Sequence, residues 1–381
     1  MRSHRIVILF FLAALLISCG DTRRVPDPPV DANDLWRGAD LSYVNELEDC
    51  GAVYRKGTQI RDPYQIFAES GTNVIRLRLW HSPPWTQYST LEDVRKSMRR
   101  ARDAGMQVLL DFHYSDDWAD PGDQIRPAAW ADTQVAEELA QEVYQYTLDV
   151  LQSLLADGLI PAYVQVGNEI NTEMLLDRKV PEDTEINWNR NVLLLNAGIK
   201  AVRDFSGEAD TAPRIMIHIA QPEYVEPWFD DAIAAGMLDF DLIGFSYYPK
   251  WSLTPFSRIE DQVRRFKTKF DKDIVVVETA YPWTLDSNDS APNLLGEDSL
   301  IDGYPASIDG QRRFMIDLMQ AVVDGGGLGV VYWEPAWVSS DCTTRWGQGS
   351  HWENATLFDF ENTEMHEGGD FLAHKYRRTD R

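Results

Sequence analysis

Eight short apolar runs, each followed by a segment of helical period or helix punctuation, leave this chain few folds to adopt. The runs span residues 37–44, 73–80, 106–114, 162–170, 214–220, 242–249, 273–281 and 327–335. Most are apolar almost throughout rather than alternating, as strands are when both faces of a parallel sheet are covered. Helical segments are expected at 90–104, 131–156, 187–204, 223–235, 257–270 and 309–323. The first opens on Thr90 with Asp93 three positions on, close to a capping box. Gly71, Gly105, Gly158 and Gly236 each stand just before a strand, where helix C-caps belong. Eightfold strand–helix alternation predicts an α/β chain folded as a (β/α)8 TIM barrel, a single domain over residues 35–381. An open doubly wound sheet is the alternative, but no glycine-rich phosphate loop follows the first run.

In this barrel the active site collects at the C-terminal ends of the strands. Those ends hold Asp40, Arg76, Arg78, His113, Asn168, Glu169, His218, Ser246, Tyr247, Glu278, Trp333 and Glu334, whereas the strand starts are rich in Ala, Val, Leu and Met. Charge is thus gathered on one rim. Closure of the barrel also sets the first strand beside the eighth. Cys50 follows the first and Cys342 the eighth, so a Cys50–Cys342 disulfide is expected, joining loops far apart in sequence.

Two glutamates on that rim suggest a chemistry. Glu169 closes the run VQVGNEI (164–170) and Glu278 the run VVVETAY (275–281). Glycosidic bond cleavage with retention needs one protonated carboxyl and one ionised carboxylate, about 5–5.5 Å apart. Glu169, preceded by Asn168, is the expected acid/base and Glu278 the expected nucleophile. Arg76 would hold Glu278 ionised by charge pairing, and Tyr247 would donate a hydrogen bond to it. Either glutamate alone could be a strand-end salt bridge; both together at strands four and seven argue for catalysis. Glu334 is read as a rim hydrogen-bonding residue.

Trp80, Trp85, Trp118, Trp283, Trp333 and Trp337 lie at or just beyond strand ends. An indole face packs against the C–H face of a pyranose, so this group reads as a sugar platform, with core packing the alternative for any one member. Trp130, Trp188, Trp228 and Trp346 are assigned structural roles. His113 and His218 lack a third metal ligand at close spacing, and are assigned hydrogen bonds to sugar hydroxyls or to the acid/base.

A formal net charge of -25 excludes nucleic acid and polygalacturonate as partners, and leaves a neutral polysaccharide. Residues 1–18 read as an export signal, with Arg2, His4 and Arg5 before an apolar stretch at 6–17 that is short for a membrane span. Leu16-Ile17-Ser18-Cys19 resembles a bacterial lipobox, which makes Cys19 the lipidated residue. Residues 19–34, with Pro26, Pro28 and Pro29, read as a tether. The expectation is an exported, monomeric lipoprotein touching membrane only through its lipid anchor, on the outer membrane or cell surface. It is secreted if Cys19 is not lipidated.

Several stretches are similar to the arabinogalactan endo-β-1,4-galactanases, glycoside hydrolase family 53 in the clan A barrel superfamily. They are GADLS (38–42), IRLRLW (75–80), DFHYSDDWADP (111–121), GNEI (167–170), IMIH (215–218), SYYP (246–249), VET (277–279), YWEPAW (332–337) and the W-x-N-x-x-LFD stretch at 352–359. Asn-Glu alone is shared across the clan, whereas Asp-Trp-Ala-Asp-Pro and Trp-Glu-Pro-Ala-Trp are specific. The resemblance implies Glu169 as acid/base, Glu278 as nucleophile and the β-1,4-galactan side chains of pectin as substrate. Asp40 and Asp116, inside the matched stretches, join the tryptophans as expected substrate contacts. No organic cofactor is implied. Bacterial members can hold calcium in the loop after strand seven. Here that loop is short and lacks the histidine, leaving Asp286, Asn288 and Asp289 as the candidate ligands.

Overall fold

The computed structural model describes residues 35–206 and 212–378. The signal segment, Cys19 and the tether lie outside the described residues. Eight parallel strands close into a barrel: β1 (Trp36–Asp40), β2 (Val74–Leu79), β3 (Gln107–Phe112), β4 (Tyr163–Val166), β5 (Arg214–Ala220), β6 (Leu242–Ser246), β7 (Asp273–Thr279) and β8 (Gly329–Tyr332). Strands β1 and β8 complete the ring, with Gly38 opposite Val331. A Cβ on Gly38 would stand 2.5 Å from the Val331 side chain, so only glycine permits this closure.

Outside the barrel run α1 (Pro63–Glu69), α2 (Leu91–Asp103), α3 (Ala136–Ala156), α4 (Trp188–Ser206), α5 (Pro222–Ala234), α6 (Ile259–Phe270) and α7 (Ile308–Asp324). After β8 a 3-10 segment, Glu367–Leu372, packs where an eighth helix would stand. The α2 helix shows why these segments are helical. The Thr90 hydroxyl caps the Asp93 amide, Glu92 and Asp93 occupy the first turn, and Arg100 and Arg102 the last, all matched to the helix dipole. Gly71, Gly105, Gly158 and Gly236 sit at positive φ after their helices, as expected of C-caps. The α3 helix starts at Ala136 rather than near 131, because Pro127 opens a separate 3-10 turn at Ala128–Trp130.

Side-chain alternation sorts the barrel strands into two environments. Outward residues join one large apolar core with the helices. Inward, Trp36, Val74, Leu109, Met216, Leu242, Val275, Val277 and Val331 form a second apolar cluster that plugs the floor. Above that floor the inward positions turn polar, with Asp40, Arg76, Asp111, Gln165, His218 and Ser246 all buried. The expected disulfide is present: Cys50 and Cys342 are bonded, with Cα atoms 5.3 Å apart. Among the described residues no helix is long and apolar enough to cross a membrane.

Candidate active site

The polar layer is built around Arg76, which is only 1% exposed. Its Nη1 donates to Asp40 Oδ2 (3.0 Å) and Glu278 Oε1 (2.6 Å), and its Nη2 to Asp111 Oδ2 and Asn168 Oδ1 (both 2.7 Å). Its Nε donates to Gln165 Oε1 at 3.2 Å. Burial alone would pull the guanidinium down; Asp111, Glu278 and Asp40 outweigh burial and hold it above its ordinary value. Three carboxylates around one cation leave this layer net negative, which adds to what burial does to Glu278.

Glu278 reaches the cavity through an irregularity in β7. Gly244 pairs with Val275 and Phe245 with Val276, but Ser246 then pairs with Glu278. On the other side, Val330 pairs with Val276 and Tyr332 with Thr279. Val277 already points into the barrel, so strict alternation would turn Glu278 outward. The bulge instead re-aims it inward onto Arg76. Its second oxygen accepts from Tyr248 Oη at 3.4 Å. The bond expected from Tyr247 is therefore made by Tyr248. Ser246 faces in, Tyr247 faces out towards the Thr254 carbonyl, and Tyr248 faces in again.

Glu169 is carried by a tight exit from β4. Gly167 has φ 82° and Glu169 itself φ 44°. Left-handed conformations in non-glycine residues cost about 1–3 kcal/mol each and persist where surrounding structure fixes them. Here Asn171 clamps both backbone polar groups of Ala220, and Gln124 Nε2 donates to the Asn168 carbonyl at 2.8 Å. Tyr114, Gln221 and Glu334, at the exits of β3, β5 and β8, also have positive φ. Strained backbone thus clusters on this rim.

Ser246 Oγ bonds Glu169 Oε1, His218 Nε2 lies 2.9 Å from Ser246 Oγ, and His218 Nδ1 lies 3.0 Å from Asn168 Oδ1. This string carries either polarity. An ionised Glu169 accepts from Ser246, which accepts from His218 Nε2, leaving Nδ1 to accept from Gln165 Nε2; a protonated Glu169 donates to Ser246, Ser246 to His218 Nε2, and Nδ1 then donates to Asn168 Oδ1. Burial, then Arg76, keep His218 well below the ordinary imidazole value, so it stays neutral. His113 donates from Nε2 to Asp111 while its Nδ1 accepts from the Ala119 amide; burial keeps it neutral too. The sequence reading placed both histidines on sugar hydroxyls or on the acid/base. Instead both are buried and neither lines the cavity, and the His218 side chain reaches Glu169 only through Ser246.

The two glutamates line one cavity of about 480 Å3. Burial pushes Glu278 up to about 7, with Arg76 pulling against it and Asp40 and Asp111 adding to it. Burial and then the charge of Glu278 push Glu169 well above the ordinary carboxyl value. As pH rises, Glu278 is therefore the first to ionise, and its charge keeps the proton on Glu169.

Of the expected tryptophans, Trp118 and Trp333 line the cavity. Trp80 and Trp337 are buried; Trp80 packs against Trp85 and Trp118, and Trp337 stacks on Tyr43 at 4.1 Å. Trp283 packs on Phe360 and His366 away from the cavity, and Trp85 donates to the Asp116 carbonyl. Asp40 and Asp116 are not at the sugar-facing surface. Asp40 bonds Arg76 and accepts from Ser42, while the Asp116 carboxylate accepts from the Ser82 amide of the loop after β2 and from the Ala128 amide of its own loop. Glu334 is not a rim residue. It is fully buried, accepts from the Tyr43 amide and faces Arg78 at 3.6 Å. The cavity also takes in Tyr224, Tyr248, Trp251 and Trp352, which the sequence reading missed. Tyr248 was findable, since two-residue alternation from Ser246 marks it as inward.

In the loop after β7 the three candidate calcium ligands are held by other partners or face solvent. The Asp289 carboxylate accepts from the Ala291 and Ser350 amides, and the Asn288 amide donates to Ser339. The Asp286 side chain is exposed. Among the described residues no three His, Cys, Asp or Glu side chains gather as metal ligands.

Comparison with known proteins bears on this geometry. Residues 36–367 match the model of glycosyl hydrolase family 53. A Cellvibrio japonicus protein named arabinogalactan endo-β-1,4-galactanase is 48% identical, over 92% of each chain. An Emericella nidulans protein named arabinogalactan endo-β-1,4-galactanase A is 34% identical, over 87% of this chain and 92% of its own. The catalytic domain of an Ignisphaera aggregans family 53 enzyme superposes with a TM-score of 0.82 at 34% identity, over 93% of this chain and 99% of that domain. With this fold and this match along its length, the chain belongs to glycosyl hydrolase family 53.

Proposed function

We propose that this protein is an endo-β-1,4-galactanase that cleaves the galactan side chains of pectin with retention of anomeric configuration. The observation that carries the mechanism is the unequal pair in one cavity: Glu278 on a guanidinium, Glu169 on a serine hydroxyl. Glu278 ionises first and attacks the anomeric carbon. Glu169 keeps its proton and delivers it to the departing glycosidic oxygen. Once Glu278 is esterified its charge is gone, and with it the repulsion that raised Glu169. Glu169 then becomes the stronger acid, and its conjugate base takes a proton from the water that releases the sugar. The chemistry is done by carboxyls and calls on no organic cofactor.

The names of the Cellvibrio and Emericella relatives support galactan as the substrate. Trp118 and Trp333 on the cavity wall supply apolar faces for pyranose rings, and the acidic surroundings suit a neutral glycan. The test is reducing-sugar release from linear β-1,4-galactan by the unmutated protein and Glu278→Gln, with mannan and xylan as controls. Release from galactan that vanishes in the variant is expected. Release from mannan or xylan alone overturns the substrate.

The proposal extends to location. Cys19 carries the lipid and residues 19–34 tether a monomeric catalytic domain to the membrane. Mass spectrometry of the mature N-terminus tests this, and an unmodified or absent Cys19 contradicts it.

A further inference from the structure

A second cavity, of about 470 Å3, opens beside the catalytic one. The two share Pro121, Asn171, Glu182 and Tyr224 as a common wall, so they are chambers of one groove. The second chamber is enclosed by Pro121 from the loop between β3 and α3, by the loop between β4 and α4, by Trp188 at the start of α4, and by α5. Nothing from β7 or its loop contributes. The groove therefore leaves the site on the Glu169 side. In the mechanism proposed above, the group next to the acid/base is the leaving group.

The chemistry of this chamber suits a sugar chain. Trp228, 5% exposed, meets Trp188 edge-on with ring centroids 5.4 Å apart, which gives a fixed aromatic wall. Tyr224 is 45% exposed at the junction of the two chambers. The same chamber is lined by the exposed carboxylates Glu182, Glu185 and Asp231, the last on the helix that carries Tyr224 and Trp228. Among the described residues none of these three carboxylates has an ion pair or hydrogen bond. Their neighbours differ. Glu226 and Asp230 on the same α5 helix are tied to Arg265 and Lys269, and Glu173 is tied to Arg190. No lysine or arginine lines the chamber. Aromatic faces with free hydrogen-bond acceptors match a neutral, hydroxyl-rich chain and repel an anionic one.

We propose that this second chamber binds the leaving-group portion of the galactan chain, several sugars beyond the scissile bond. It makes the enzyme favour long, uncharged galactan over short oligosaccharides. The proposal rests on the galactanase reading.

The test compares the unmutated protein with the Glu185→Gln/Asp231→Asn double variant, whose positions are both exposed, and with Trp188→Ala. None of these residues lines the catalytic cavity. Each protein is assayed on linear β-1,4-galactan and on an aryl β-galactobioside, whose leaving group is too short to reach the chamber. In the variants kcat/KM on galactan should fall about tenfold, as for loss of a hydrogen bond to a charged group, while the galactobioside is cleaved as before. With a reducing-end-labelled galactoheptaose, the preferred cleavage position should shift. An equal fall on both substrates makes the residues structural and overturns the proposal. Variants that match an active unmutated protein on galactan overturn the second chamber alone. An unmutated protein that leaves galactan intact overturns both the galactanase reading and this proposal.

Discussion

Replacing Arg76 with lysine keeps the positive charge and removes the fork. The guanidinium serves Asp40, Glu278, Asp111, Asn168 and Gln165 at once. A lysine ammonium has three donors, so at least two of these acceptors lose their partner. A hydrogen bond to a charged group contributes about 1.5–3 kcal/mol, so the loss is about 3–6 kcal/mol. That is a large share of a domain's whole stability, typically about 5–15 kcal/mol. Two assays read the change. Urea denaturation at pH 7 should show the midpoint falling with the slope unchanged. The pH profile of kcat/KM on galactan should show its acid limb moving to higher pH, because Glu278 loses the bonds that pull its proton off. The alkaline limb, which reports Glu169, should move less. A stability loss below about 1 kcal/mol, or an acid limb that moves to lower pH, would refute the view that Arg76 clamps the nucleophile.

Three further outcomes follow from the same geometry. Tyr248→Phe removes a hydrogen bond to Glu278 and should lower kcat/KM by about two- to tenfold, whereas Tyr247→Phe should leave it unchanged; equal effects contradict the assignment of inward and outward faces. Folding raises the Glu278 carboxyl from 4.5 to about 7, so its contribution to stability is complete below pH 4.5 and is lost as pH climbs through 7. Stability measured by urea denaturation from pH 4 to 8 should therefore decline less steeply in Glu278→Gln than in the unmutated protein, and parallel curves count against it. The Cys50–Cys342 bond closes a loop of 292 positions; replacing both cysteines with serine should cost about 2–5 kcal/mol while activity on galactan at 25 °C persists, and an unchanged Tm contradicts this.

The barrel was legible because its strands are apolar on both faces and its helices carry their punctuation. The Cys50–Cys342 pairing followed from closure alone. Glu169 and Glu278 were legible as carboxyls at strand exits, but the means by which Glu278 faces inward was not. Nothing in VVVETAY marks the bulge at Val277, and alternation by itself points Glu278 the wrong way. The tryptophans failed for a related reason. Position at a strand end places a residue on the rim but does not say whether its ring turns to the cavity, as in Trp118, or into the packing, as in Trp80 and Trp337. Trp251 and Trp352 come from loops whose course no periodicity describes. Glu334 looked like a rim residue because it follows Trp333; burial beneath Tyr43 is a tertiary fact.

The central claim is that two unequal glutamates in one cavity cleave the bond by double displacement. Proton NMR during the first minutes of galactan hydrolysis reads it directly, through the anomeric signals of the newly formed reducing ends. The account predicts that the β-anomer appears first and the α-anomer only later, by mutarotation. First appearance of the α-anomer would mean a single displacement by water, and Glu278 would not be the nucleophile.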